Sequence, residues 1–84
     1  MQLYLISQFE NCEIDTYHSA VVVAKDSAAA REIDPRSGLP MAAEDWKDPY
    51  SHWASDPKFV IVQHLGAADS SVSPGLILSR VRHH

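Results

Sequence analysis

Glu44-Asp-Trp-Lys-Asp-Pro-Tyr-Ser-His-Trp53 gathers two Trp, one Tyr, three acids and a His within ten residues. No catalytic signature runs through it, so the chemistry these types suggest is recognition. Trp and Tyr on loops anchor protein interfaces, because one end of each ring is apolar and the other tolerates water. Glu44, Asp45, Trp46, Asp48, Tyr50 and Trp53 are therefore the candidate partner contacts. Glu10 and Glu13 in the first turn join them if the two loops meet in an acidic patch. Two plainer readings stand beside this one. The tryptophans could fold back as a lid on a small core, and the acids could be ordinary solvated turn residues.

Other chemistries find weaker footing. The five histidines show no His-x₃₋₅-His, Cys-x₂-Cys or His-Glu-x-x-His spacing, so no metal site and no cofactor are expected. Cys12 and His18 could form a thiol–imidazole pair. Yet Cys12 lies in an acidic turn without the positive surroundings that lower a thiol pKa, and no enzyme is expected. Gly38, Gly66 and Gly75 are isolated and make no phosphate cradle.

Eighty-four residues make one small domain. Residues 1–57 carry a net charge of −6 and residues 58–84 of +2, for −4 overall. That balance disfavours direct nucleic-acid binding and suits a basic protein surface. Arg80 and Arg82 are too few for a nucleic-acid stripe and read as protection of a sheet edge. The longest apolar run, from Ala20 to Ala24, is too short to span a bilayer. The absence of an export signal and the single cysteine lead to the expectation of a cytoplasmic protein.

The elements that must hold these residues are legible in outline. Gln2 to Gln8 predicts a first strand, apolar on both sides and hence central and covered on both faces. Thr16 to Ala24 predicts a second strand, antiparallel to it. Asp26 to Ile33 or Asp34 predicts a helix stopped by Pro35. Arg36 to Pro57 reads as a long loop, with one helical turn available at Ala42 to Trp46. Lys58 to His64 and Leu76 to Val81 predict the last two strands. The fold class is α+β: a mostly antiparallel four-stranded sheet in the order β-β-α-β-β, with one helix on one face.

Three segments carry a resemblance: Met1-Gln-Leu-Tyr-Leu-Ile-Ser-Gln8, Asp15-Thr-Tyr-His-Ser-Ala-Val-Val-Val-Ala24 and Pro74-Gly-Leu-Ile-Leu-Ser79. They resemble a family of very short proteins encoded by bacteriophages and prophages. An Ala-rich helix follows the second strand in that family, as at Asp26 to Ile33. A Trp-containing loop leads to the third strand, as at Asp45 to Lys58. The ending Arg80-Val-Arg-His-His84 departs from the pattern. The layout is also similar to that of small anti-CRISPR proteins in size, charge and order of elements. This likeness implies a non-enzymatic inhibitor that binds a subunit of a CRISPR surveillance complex of type I, in the cytoplasm of a bacterial host. It would block target-DNA binding or nuclease recruitment. The alternative is a phage or host interaction module, monomeric or weakly homodimeric through a sheet edge.

Overall fold

The computed structural model describes residues 1–12, 16–47, 52–69 and 71–81, the last four of these by backbone alone. Strands β1 (Gln2–Ser7), β2 (Tyr17–Ala24), β3 (Ile61–Ala67) and β4 (Gly75–Val81) form one sheet in the order β3-β1-β2-β4. All three pairings are antiparallel. Two short helices, α1 (Ser27–Arg31) and α2 (Ala43–Trp46), and a 3-10 turn at Pro57–Phe59 fill the connection between β2 and β3. The α+β class holds.

The register sorts the side chains of the sheet. Tyr4 pairs with Val22 and Ile6 with Ala20, and all four are buried. They form one core with Ala24, Ala30, Ile33, Met41, Trp46, Trp53 and Val60, against which Val62 and Leu76 pack. The alternate positions Leu3, Leu5 and Val21 stand outside that core and are only half-buried. The central place of β1 is as expected; coverage of both its faces is not. Leu3 and Leu5 are as apolar as Tyr4 and Ile6, so composition could not tell which pair is covered.

α1 is shorter than expected. Asp26 caps it, its carboxylate accepting from the Ala29 N–H at 2.8 Å. Pro35 then drives the chain out of the helical region. The freed backbone groups pair across a tight return. Met41 N–H donates to Glu32 O at 2.7 Å, Asp34 N–H to Leu39 O at 2.8 Å, and Ile33 bridges Pro40. A five-residue helix is not stable alone. It is held by burial of Ala30 and by Arg31, whose guanidinium donates to Val60 O at 2.5 Å and Pro57 O at 3.3 Å.

β3 begins three residues later than expected. The Asp56 carboxylate accepts from Lys58 N–H at 2.9 Å and starts the 3-10 turn, which takes Phe59 out of the strand. Gly38 sits at φ +78°, and a Cβ there would meet Leu76 N at 2.9 Å and Leu76 Cβ at 3.0 Å. Gly38→Ala is expected to destabilise the fold by about 1–3 kcal/mol through both strain and collision, read by urea unfolding.

Candidate functional site

The long segment that sequence marks as a working surface is largely a lid. Trp53 is wholly buried and Trp46 nearly so, both packed into the core under α1. As partner contacts these two are corrected: their rings complete the core that one short helix leaves incomplete, and are not presented at the surface. Glu44 and Asp45 are exposed on α2. The Asp45 carboxylate accepts from Ala42 N–H at 2.9 Å and so caps its own helix. Glu13, Asp48 and Tyr50 lie outside the described residues.

The first turn and the long segment do meet. Glu10 accepts from Ser55 N–H at 2.9 Å and from Ser55 Oγ at 2.5 Å. Beneath this clamp lies a buried amide that sequence reasoning missed. Gln8 Nε2 donates to Asn11 O at 2.8 Å and Tyr17 O at 2.9 Å, and Gln8 Oε1 accepts from Asn11 N–H at 2.7 Å. Asn11 Nδ2 reaches on to Trp53 O at 3.0 Å, and Thr16 Oγ1 donates to Asn11 O at 3.3 Å. The hub thus ties the β1–β2 turn to the Trp53 lid. Its signal was parity: Gln8 follows Tyr4 and Ile6 at a spacing of two, on the buried side of β1.

A second polar contact joins Asp34 and His52, with His52 Nε2 2.8 Å from Asp34 Oδ1. His52 also stands edge-on to Tyr17, and its carbonyl accepts from Tyr17 N–H at 2.7 Å. Burial raises the Asp34 pKa. The His52 hydrogen bond, the Arg36 N–H at 2.7 Å, the His52 charge and the Ser37 backbone together outweigh it and hold the carboxyl below its ordinary 3.8. The native state therefore binds the Asp34 proton less readily than the unfolded chain does. The stability this contributes is complete above the ordinary value and is lost as pH falls through the lower native one. The melting temperature is expected to fall with acidification below 3.8, and less steeply in Asp34→Asn. Thermal melts across the acid range check this.

The thiol and imidazole weighed for nucleophilic chemistry hold other partners. Cys12 is exposed, with Sγ 3.3 Å from Phe9 O, while His18 Nδ1 lies 3.2 Å from Ser19 Oγ, with its ring edge-on to Phe9. Among the described residues no three His, Cys, Asp or Glu side chains come together. No helix among them is long and apolar enough to cross a membrane.

The largest unsatisfied feature is apolar. Leu3, Leu5 and Val21 lie on the side of the sheet away from the tryptophans, and Ile61, Leu65 and Ile77 in the edge strands are each about half exposed. A groove of about 310 Å³ opens beside the end of β2, walled by Val23, Ala29, Ile33 and Leu39. No protein-family model, curated protein or solved structure matches this chain.

Proposed function

We propose that this protein is a small, non-enzymatic interaction module whose working surface is the sheet face opposite the tryptophan core. One observation carries the reading: on this side Leu3, Leu5, Val21 and Ile61 remain partly exposed, although Val23 beside Leu3 is buried, while Tyr4, Ile6, Ala20 and Val22 on the other side are buried in the core. Exposed apolar patches of this kind mark docking surfaces on small soluble proteins. Most described acids serve as caps and clamps, at Asp26, Asp34, Asp45, Asp56 and Glu10. That leaves the apolar face as the surface without a structural task. A photo-crosslinking amino acid at Ile61 in producing cells is expected to give a discrete protein adduct. The same probe at exposed Ala28 on α1 is expected to give none. A folded protein with no adduct at Ile61 would contradict the reading.

A second reading keeps the acidic surface. Glu44 and Asp45 are exposed on α2, and the Ser55 clamp draws Glu10 onto the layer that holds the Trp53 lid. That layer would dock on a Lys- and Arg-rich groove, as an inhibitor of a phage or prophage would on a type I CRISPR surveillance complex. Pull-down from lysate containing such complexes, eluted in rising salt, tests it. Capture that weakens steeply with salt and is lost in Glu44→Lys supports it, and no capture contradicts it.

A further inference from the structure

We infer that the occupant of the apolar sheet face is a second copy of this chain, packed face to face. This deepens the interaction-module reading and rests on it. The charge distribution selects the partner. The eight acids among the described residues all lie outside the four strands. Among the described residues the only Asp, Glu, Lys or Arg in any strand is Arg80, which takes the register position beside Ser19 near one end of the sheet. A heterologous partner with a charged surface finds only Arg80 as a complement on this face. An identical face, uncharged but for Arg80 at one end, is complementary to it, and the described acids stay on the turns and helices.

The arrangement along the strands fits the anatomy of an interface. Leu3, Leu5 and Val21 form an apolar centre on the two inner strands. Ser7 and Ser19 pair at one end, and Gln63 lies beside Leu5, giving a polar rim. Four strands about 4.8 Å apart, with six residues of about 3.3 Å each, give a face of roughly 400 Å² in projection. Protruding side chains enlarge the accessible area, so two faces together bury on the order of 1,000 Å², where specific interfaces begin. A sheet-on-sheet layer about 10 Å thick would then cover Leu3 and Leu5 as Trp53 covers the other side.

Edge-to-edge pairing is the competing geometry. Both edge strands carry a register shift, between Leu3 and Tyr4 in the β1–β3 pairing and between Val21 and Val22 in the β2–β4 pairing. Bulges twist an edge away from added strands. The face remains.

Sedimentation velocity over a wide dilution series tests the inference with wild type, Leu5→Lys and Ile61→Lys. Wild type is expected to shift from dimer to monomer on dilution. Each variant is expected to self-associate about tenfold more weakly, or worse, because a buried leucine or isoleucine becomes a buried cation. Leu5 lies on an inner strand with both neighbours paired, so its effect cannot arise at an edge. Circular dichroism shows whether each variant folds. Ile61 is half exposed in the monomer, and its variant serves if Leu5→Lys does not fold. A wild type that is monomeric throughout, or a dimer that the folded Leu5 variant retains, overturns the inference. A monomer that still crosslinks a different protein through Ile61 overturns the second copy alone. A monomer with no adduct overturns the module reading as well.

Discussion

Trp53→Ala is expected to cost roughly 3–5 kcal/mol and to leave the chain largely unfolded at room temperature. Trp53 is wholly buried and packs with Ile6, Val22 and Val60, all themselves buried. Removing the indole empties the centre of a core that one five-residue helix cannot refill. An 84-residue domain has little stability to lose, because a small core buries a modest share of the chain. Urea unfolding followed by far-ultraviolet circular dichroism gives the number. A Trp53→Ala protein as stable as wild type would mean that the ring serves a partner and not the core.

Gln8→Leu is expected to cost about 2–4 kcal/mol, although leucine is close in size and more apolar. The substitution removes the bonds at 2.7–2.9 Å that Gln8 makes with the carbonyls of Asn11 and Tyr17 and the N–H of Asn11, leaving the Asn11 carbonyl with the longer bond from Thr16 Oγ1. Buried polar groups without partners lose their full solvation, and the apolar gain does not offset that. The loss should propagate, since Asn11 also holds the Trp53 carbonyl. Gln8→Leu combined with Asn11→Ala should therefore cost less than the sum of the two single variants. Urea titrations of the three proteins measure the coupling, and strict additivity would separate the hub into independent bonds.

These residues also show what sequence can and cannot reveal. β1, β2 and β4 were legible within a residue at each end, because β-branched and apolar runs bounded by turn residues leave little choice. β3 was misplaced because Asp56 and Pro57 start a 3-10 turn with the same apolar residues that could open a strand. Gln8 was legible by parity and overlooked as a strand end. The Asp34–His52 and Glu10–Ser55 contacts were not legible, being separated by 18 and 45 residues and set by how the chain returns. The tryptophans carried the hardest ambiguity. A ring that closes a core and a ring that anchors a partner have the same composition and the same loop around them. Only the shortness of α1 decides in favour of the core, and that shortness follows from Pro35 and the return at Gly38.

The proposed surface requires a sheet with one packed face and one partly open face, and thiol labelling tests that most directly. Val21→Cys and Val22→Cys, each in a Cys12→Ser background, put neighbouring positions of β2 on opposite faces. At high dilution, where self-association is absent, the thiol at position 21 is expected to react in the native state. The thiol at position 22, wholly buried in wild type, is expected to wait for global unfolding. If both wait for unfolding, the second face is already covered within the monomer, and the proposed surface does not exist.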